Sequence, residues 1–458
     1  MKQEIYELFK KYGAMMASQP YPVGEEARLL LDTSDGVYGT KKGANLGALK
    51  ESDVVKMSDA HFATSRSGMH ARVISQTPYC QRCLREGKTF RAVLDDMAQI
   101  VGPEAVIVNT TGSKKSASLQ MAKAVQKATG FFVQDRVRDG QPAGYTLTIG
   151  RNLYEAVVAM TVLEKSAEIA LKAGVLGGGK PIPKIEARLM REVYKKKYSK
   201  AETEAKAVEE TGSTDITLDE NVAQGGEIAG CTDFAGNADF AEREIAPEDR
   251  EARPEDREAR PEDRETRPKD REARLRQMLV DYGNKLVACG LVQGTWGNIS
   301  VRLDDKYMLA TPSGLDYSRL TPEDMVKVEI KTLKYEGDLK PTSEKGLHAA
   351  VYQRRPEIGA VIHTHAKYCC VFAAANQDMP IEDREGQKIF GTSVKLAGYG
   401  LPGSKALMKH TADALGDNFG CIMANHGMLA CGSDLETAFN NCQMLEQCAE
   451  TYINRRFK

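Results

Sequence analysis

The stretch Gly359-Ala360-Val361-Ile362-His363-Thr364-His365-Ala366 gives the clearest indication of how this chain folds. Its apolar, β-branched residues are typical of a buried strand. Successive side chains of a strand point to opposite faces, so His363 and His365 lie on the same face. The pattern therefore predicts a strand that aims two imidazoles at one ion.

Two other segments supply further candidate metal ligands. His426 follows a second apolar run, 421–424, and Glu344 ends the segment Pro341-Thr342-Ser343-Glu344. Three imidazoles and one carboxylate suit a divalent transition metal, zinc first, with Mn²⁺, Fe²⁺ or Co²⁺ as alternatives, and they leave a position open for substrate. A lone His-x-His more often belongs to ordinary structure, so this prediction depends on the accompanying motifs.

Composition excludes several classes of partner. The chain has 458 residues and a net charge of −1, which gives no electrostatic reason to expect binding to nucleic acid or to an anionic membrane surface. No apolar run approaches the roughly 20 residues of a membrane span. The 10 cysteines show no disulfide spacing, and Cys80-Gln81-Arg82-Cys83 has no second pair to complete a zinc site. We therefore expect a cytoplasmic protein with reduced thiols.

The chain divides into three parts. Residues 1–198 show helical and strand-like patterns and are expected to form a globular domain. Residues 199–273 are charged and of low complexity, with prolines at 247, 254, 261 and 268 in near-copies of Pro-Glu-Asp-Arg-Glu-Ala-Arg. Because these repeats have no apolar seam, they predict a disordered linker and not a coiled coil. Residues 274–458 contain the candidate metal ligands.

Turns near the proposed metal could bind a phosphate. Gly297-Asn298-Ile299-Ser300 and Thr311-Pro312-Ser313-Gly314 are rich in small residues, and Thr342-Ser343 adds two hydroxyls next to Glu344. Such turns expose backbone N–H groups that can cradle a phosphate. Ordinary hairpin turns use the same residues, so each segment alone is weak evidence.

Taken together, these motifs resemble, in order and spacing, those of the class II aldolase/adducin family, in the branch typified by L-fuculose-1-phosphate aldolase. The resemblance covers about 180 residues and implies a three-layer α/β/α domain with a mainly antiparallel central sheet. It implies that His363, His365 and His426 bind the metal, and that Glu344 caps the metal at rest and then acts as catalytic acid and base. The positions that match the family's phosphate pocket are Asn298, Ser313, Gly314, Thr342 and Ser343.

The resemblance implies metal-dependent aldol cleavage of a ketose phosphate to dihydroxyacetone phosphate and an aldehyde. A dication stabilises the enediolate that such cleavage produces, and a nearby carboxylate can move the proton. The alternatives are epimerisation or dehydration of a similar sugar phosphate, and a non-catalytic, adducin-like role in assembly. Related epimerases have Asp where this chain has Glu344, which favours an aldolase.

The aldehyde half of the substrate is not specified by the motifs. Family aldolases place one tyrosine shortly after the strand that follows His-x-His and another on a C-terminal tail. Here Glu382-Asp383-Arg384 follows Pro380-Ile381, and neither tyrosine has a match by position. Tyr368 and Tyr399 are the candidate replacements, although we interpret both as packing residues.

The first domain resembles a second, degenerate copy of the aldolase domain. Residues 49–56 parallel 320–327, and Gly43 falls where Gly314 does. Residues 64–71 parallel 342–349, and residues 150–168 parallel 432–450. The chain therefore contains an internal repeat.

Every candidate ligand is replaced in the first copy. Arg66 aligns with Glu344, Ser75-Gln76-Thr77 with the His-Thr-His segment, and Gly144 with His426. Without an imidazole at these positions the first domain should bind no catalytic metal, and we interpret it as a pseudoenzyme domain.

Family aldolases form cyclic tetramers with active sites at subunit interfaces. We therefore expect a homo-oligomer, or a pseudo-tetramer of alternating inert and active domains, that acts on a small sugar phosphate. In this hypothesis the inert domain forms a wall of the active site, with charge from Arg66, Lys114 or Lys115. The alternative is a tethered scaffold that contributes no chemistry.

Overall fold

The computed structural model describes residues 3–57, 68–195, 268–293 and 296–457. The predicted linker, 199–273, lies outside the described residues except for 268–273, which are helical. The helix that opens the second domain begins at Pro268, inside the last repeat, whereas the sequence places the boundary at 274. Proline is well tolerated in the first turn of a helix, where its missing N–H is not needed.

The first domain consists of a seven-stranded sheet with helices on both faces. Its helices are α1 (Gln3–Ala17), α2 (Pro78–Arg85), α3 (Asp95–Ile100), α4 (Lys114–Lys127), α5 (Leu153–Lys172) and α6 (residues 184–195). Its strands are β1 (Arg28–Thr33), β2 (Gly36–Thr40), β3 (Val54–Lys56), β4 (Ala71–Ser75), β5 (Phe90–Arg91), β6 (Glu104–Ala105), β7 (Ile107–Asn109), β8 (Gly130–Arg138) and β9 (Gln141–Gly150).

The second domain repeats the order of the seven sheet strands. Its helices are α7 (Pro268–Ala288), α8 (Lys345–Arg354), α9 (Lys367–Ala375), α10 (Arg384–Phe390), α11 (Lys405–Leu415) and α12 (Leu435–Asn454). Its strands are β10 (Gly297–Arg302), β11 (Tyr307–Ala310), β12 (Val326–Glu329), β13 (Ala360–Thr364), β14 (Met379–Pro380), β15 (Ser393–Val394), β16 (Leu396–Ala397), β17 (Gly420–Met423) and β18 (Gly427–Gly432).

The two sheets have the same topology. The strand order is β3-β2-β1-β4-β9-β8-β7 in the first and β12-β11-β10-β13-β18-β17-β16 in the second. The edge pairs β7–β8 and β16–β17 are parallel, and the other paired neighbours in both sheets are antiparallel. The structure therefore confirms the predicted α/β fold with two mainly antiparallel sheets, and it supports the duplication.

Strand pairing corrects the alignment of the two copies by one residue. Ala360 pairs with Gly432 in the second sheet, and Ala71 pairs with Gly150 in the first. Counting along the equivalent strands places residues 74–76, Ile-Ser-Gln, where His363-Thr364-His365 stand. The sequence alignment that put 75–77 at this place was therefore wrong, although the ligands are lost in either register.

A buried carboxylate caps an equivalent helix in both domains. Glu164 on α5 accepts the backbone N–H groups of Tyr79 and Cys80 at the start of α2, at 2.8 and 2.9 Å. Glu446 on α12 accepts those of Tyr368 and Cys369 at the start of α9, at 2.7 and 2.8 Å. A negative charge at a helix N-terminus is stabilised by the helix dipole and by the N–H groups that the helix leaves unpaired.

The two domains share a hydrophobic core. Val93, Leu94, Ile169 and Ala173 of the first domain belong to the same cluster of buried side chains as residues of α7, α9 and α12. Trp296, the single tryptophan of the chain, packs from the second domain against the core of the first. This docking brings α3 and α6 of the first domain to the face of the second domain that carries the histidines. In the described parts of the chain, no helix is both long and apolar enough to cross a membrane.

Candidate metal centre

The histidines of the His-Thr-His segment and His426 meet at the end of strand β13. His363 Nε2 lies 3.1 Å from His365 Nε2 and 3.1 Å from His426 Nε2. One nitrogen from each of the three rings lies within 4.8 Å of the others, and His363 is fully buried. The alternation of β13 places His363 on the face covered by α8 and α11, and the turn before β18 brings in His426 from the neighbouring strand.

Glu344 joins this cluster from the N-terminal end of α8. Its Oε2 lies 3.2 Å from His363 Nε2, and its Oε1 lies 2.8 Å from His426 Nε2. The structure thus brings all four sequence-predicted ligands together. Three imidazole nitrogens and one carboxylate directed at one point are the donor set that a divalent transition metal prefers.

The orientation of His363 suits metal binding through Nε2. Its Nδ1 lies 2.8 Å from the carbonyl oxygen of Met428 on β18. A carbonyl oxygen can only accept, so Nδ1 carries the hydrogen and donates it, which leaves the lone pair of a neutral ring on Nε2. An outer hydrogen bond of this kind fixes the ring and the tautomer that metal binding needs.

A chain of hydrogen bonds holds Glu344 from the opposite side. Asn298 Nδ2 donates to Glu344 Oε2 at 2.9 Å, and its Oδ1 lies 2.6 Å from His348 Nε2. The other ring nitrogen of His348 lies 2.6 Å from Ser300 Oγ, which is 2.8 Å from the Tyr352 hydroxyl. Burial lowers the pKa of His348 to about 4, so the ring is neutral. Because an amide oxygen can only accept, the hydrogen on the His348 ring lies on Nε2 and is donated to Asn298 Oδ1.

The predicted phosphate residues line a pocket of about 330 Å³ that is also lined by Glu344, His365 and His426. Those residues are Asn298, Ser313, Gly314, Thr342 and Ser343. Gly314 has a φ of +81°, a conformation that side chains disfavour. Asn298 donates a hydrogen bond to Glu344. The role of all five residues in binding phosphate stays a prediction.

Comparison with known proteins identifies the family. Residues 277–453 match the family described as Class II Aldolase and Adducin N-terminal domain. A 5-deoxy-D-ribulose 1-phosphate aldolase from Bacillus thuringiensis serovar kurstaki is 33% identical over 182 residues, which are 40% of this chain and 85% of that protein. This chain belongs to the class II aldolase/adducin family.

Two other members of the class II aldolase/adducin family are similar to the second domain. The L-fuculose phosphate aldolase of Escherichia coli K12 is 35% identical over 179 residues, covering 39% of this chain and 82% of that protein. A solved structure of an L-fuculose 1-phosphate aldolase is 35% identical and covers 40% of this chain and 86% of that one, with a TM-score of 0.38. Class II aldolases typically depend on a divalent metal, which agrees with the histidine cluster.

The first domain contributes to the pocket of this class II aldolase domain. Asp95 and Gln99 of α3 line it, and so do several residues of α6, namely Leu189, Met190, Val193 and Tyr194. Tyr368 and Tyr399, the candidate replacements for the family tyrosines, are not among the lining residues; Tyr194 is. Lys114 and Lys115 lie at the start of α4 and do not line the pocket either, and Arg66 falls outside the described residues.

Sequence reasoning missed Asp95 and Asp96. Asp95 Oδ2 contacts His426 Nδ1, and Asp96 Oδ2 lies 3.7 Å from His365 Nδ1. Their signal in the sequence is two adjacent carboxylates inside the apolar run Val93-Leu94-Asp95-Asp96-Met97-Ala98. Acidic side chains are rarely buried unless they are paired, so such a pair predicts a partner elsewhere in the fold.

Buried charges shift the pKa values of the metal-site residues in different directions. Burial raises the pKa of Glu344, but its close contacts with His363 and His426 and the hydrogen bond from Asn298 outweigh this effect and hold that pKa well below its usual value. Burial lowers the pKa of His426, and the carboxylates of Asp95 and Glu344 more than reverse this, so that its pKa is well above the ordinary one. Burial lowers the pKa of His363 well below the ordinary value despite the charge of Glu344.

The equivalent place in the first domain is occupied by ion pairs. A pocket of about 240 Å³ there is lined by Arg28 and Ile74, which the strand registers align with Asn298 and His363. Glu26 forms ion pairs with Lys42 at 2.6 Å and Arg136 at 3.2 Å. The residues lining this pocket include no imidazole, which supports the interpretation of the first domain as an inert copy.

Proposed function

We propose that this chain is a metal-dependent aldolase that cleaves a ketose 1-phosphate to dihydroxyacetone phosphate and an aldehyde. One observation carries the proposal: three imidazoles and the Glu344 carboxylate converge beside a pocket that is also lined by hydroxyl and glycine residues. Such a pocket can hold both the phosphate of a substrate and its reacting carbons.

In this proposal His363, His365 and His426 hold the metal, zinc first, with Mn²⁺, Fe²⁺ or Co²⁺ as alternatives. The bound metal supplies a Lewis acid for the oxygens next to the bond that breaks. Glu344 is ionised, and its carboxylate would take the proton from the hydroxyl that becomes the aldehyde and deliver a proton to the carbon that keeps the electron pair of the broken carbon–carbon bond. Asn298 orients Glu344 through the 2.9 Å hydrogen bond. The hydroxyls of Ser313, Thr342 and Ser343 (with Gly314 in the turn) bind the phosphate and fix the distance of the reacting carbon from Glu344.

The first domain supports a specific choice of aldehyde. Leu189, Met190 and Val193 of α6 contribute apolar side chains to the lining of the pocket. An apolar wall favours a substrate whose far end carries a methyl or another apolar group in place of a hydroxyl. The relative from Bacillus thuringiensis is named for a 5-deoxy sugar phosphate, and we propose a deoxyketose 1-phosphate for this chain too.

We further propose two domains, 1–198 and 274–458, joined by the linker 199–273, with helix α7 of the second domain extending back to Pro268. We also propose a cytoplasmic location and a pseudo-tetramer in which inert and active domains alternate. Nine cysteines lie in the described residues and form no disulfide bond, which supports a reducing compartment. The contact between the domains supports the pseudo-tetramer because it is heterologous: α3 of one fold meets the metal-site face of the other. A heterologous contact, when repeated, closes into a ring if the rotation permits.

Metal analysis and product release test the proposed activity. The purified chain should contain about one zinc ion per chain and should release dihydroxyacetone phosphate from one member of a panel of ketose 1-phosphates. A His363→Ala/His365→Ala variant, which keeps Glu344, should lose both the metal and the activity.

The alternative functions give different results in the same experiments. An adducin-like assembly protein would be free of metal and inactive on the whole panel. An epimerase or dehydratase would contain metal and convert a sugar phosphate without releasing dihydroxyacetone phosphate. Either result would overturn the aldolase proposal.

A further inference from the structure

Each of the three clustered histidines has its outer nitrogen, Nδ1, directed toward an oxygen atom. His363 Nδ1 donates to the backbone carbonyl oxygen of Met428, which belongs to the same domain. His426 and His365 instead face Asp95 and Asp96, which belong to the first domain. The first domain thus provides the outer partners of two of the three predicted metal ligands, although it has no ligands of its own.

Asp95 is held in place by hydrogen bonds between the domains. Its backbone N–H donates to the carbonyl oxygen of Asn425 at 2.9 Å, directly before His426. The side-chain amide of Asn425 donates to the carbonyl oxygens of Val93 at 2.8 Å and Lys180 at 2.7 Å. The turn that carries His426 is therefore fixed by the same segment that supplies Asp95.

Asp96 is anchored on its other side by a buried lysine. Lys165 Nζ of α5 lies 3.1 Å from Asp96 Oδ2, and the side chains of both are nearly inaccessible, at 7% and 1%. Asp96 Oδ1 accepts the backbone N–H of Met97 at 2.7 Å. The 3.7 Å between Asp96 and His365 Nδ1 exceeds a hydrogen-bond distance, so Asp96 acts on His365 through its charge and more weakly than Asp95 acts on His426.

We propose that the degenerate first domain serves as the outer layer of the metal site, with Asp95 as a positioning residue for His426 and Asp96 in the same role for His365. A carboxylate that accepts the Nδ1 hydrogen fixes the ring and leaves Nε2 to bind the metal. This inference rests on the proposed function, because it assumes that the three histidines hold a metal. It gives the inert copy a defined task and explains why the catalytic domain keeps it in the same chain.

Metal affinity measures this role without reference to catalysis. We would strip the full-length chain of metal and titrate it with Co²⁺ against a competing chelator, recording the visible absorption of bound Co²⁺. Removing an outer partner of a ligating histidine typically weakens metal binding by about 10–100-fold. Asp95→Ala should show a loss of this size, and Asp95→Asn, which keeps an oxygen acceptor, should recover part of it. Asp96→Asn should have the smaller effect.

Glu168→Ala is the matched control. Glu168 is also an acidic residue of the first domain at the domain interface, paired with Lys172 at 2.6 Å and with Lys367 at 3.2 Å, and neither partner is a histidine. The Glu168→Ala variant should bind Co²⁺ with the same dissociation constant as the parent chain. The Trp296 emission of each metal-free variant reports whether the domains remain docked.

The outcomes separate this inference from the function on which it rests. If the parent chain binds no metal, the proposed function and the inference both fail. If the parent chain binds Co²⁺, and Asp95→Ala with docked domains has a Co²⁺ dissociation constant within about threefold of the parent's, only the inference fails. An equal loss in Glu168→Ala would also overturn it, because the effect would then belong to the interface as a whole. If the domains of Asp95→Ala separate, Asp95→Asn takes its place in the test. Asp95→Asn must then bind Co²⁺ more weakly than the parent chain while its domains remain docked.

Discussion

Replacing Asn425 with glycine should weaken the docking of the two domains. Asn425 has a φ of 59°, a left-handed conformation that glycine adopts freely. The change therefore keeps the backbone and removes the two hydrogen bonds to Val93 and Lys180. A hydrogen bond contributes about 0.5–1.5 kcal/mol to stability, so losing two should cost about 1–3 kcal/mol.

Asn376→Gly provides a matched reference for this measurement. Asn376 has a φ of 53° at the end of α9, and in the described parts of the chain its side-chain amide has no hydrogen bond to the first domain. Both variants gain the same freedom in the unfolded state, about 0.5 kcal/mol or more. The difference between the two therefore isolates the hydrogen bonds of Asn425.

Trp296 makes the measurement direct. It is the single tryptophan and packs against the core of the first domain, so its emission should shift to the red when the domains separate. In a urea titration, Asn425→Gly should show this shift at a lower concentration than Asn376→Gly, by an amount that corresponds to about 2 kcal/mol. Equal midpoints for the two variants would refute the argument that these hydrogen bonds hold the turn before His426.

Three further predictions concern the metal site and the pocket. Glu344→Gln should retain metal but lose about 10²–10⁴-fold in kcat, because the amide cannot move the proton; a metal-loaded variant with a tenth of the parent's rate would contradict this role. The raised pKa of His426 means that its ring is protonated in the metal-free chain near neutral pH, whereas His363 is already neutral. Metal binding must release that proton, so affinity should rise about tenfold per pH unit between pH 6 and 7, and a flat profile by chelator competition would contradict it. Leu189→Gln should raise KM for a 5-deoxyketose 1-phosphate several-fold and change KM little for its hydroxylated counterpart, and an equal effect on both would exclude contact with the aldehyde end.

The cluster of candidate metal ligands could be predicted from the sequence because its signals are local. His363 and His365 are two residues apart on one strand, and the period of a strand alone puts them on one face. His426 and Glu344 each adjoin a recognisable element boundary, at the starts of β18 and α8. The same local patterns, repeated in the first half of the chain, predicted two copies of one fold.

Strand register was predictable only approximately. The first copy lacks the histidines that would mark its alignment, so a shift of one residue left the sequence comparison nearly unchanged. Backbone pairing between Ala71 and Gly150 determines the register and places Ile74 at the position of His363. A shift of one residue moves every side chain to the opposite face of the sheet, which is why only the paired structure could decide it.

The sequence by itself determined the family, the four residues that converge at the candidate metal centre, and the replacement of these residues in the first copy. Only the tertiary structure decided that Asp95, Asp96 and α6 complete the site and the pocket. Asn425 and Val93, which are hydrogen-bonded, lie 332 residues apart in the sequence. Their contact arises because two domains dock, each with its own sequence pattern. Periodicity and motif spacing describe neighbours along the chain, whereas which surfaces of two domains meet depends on the shape and charge of both folded surfaces.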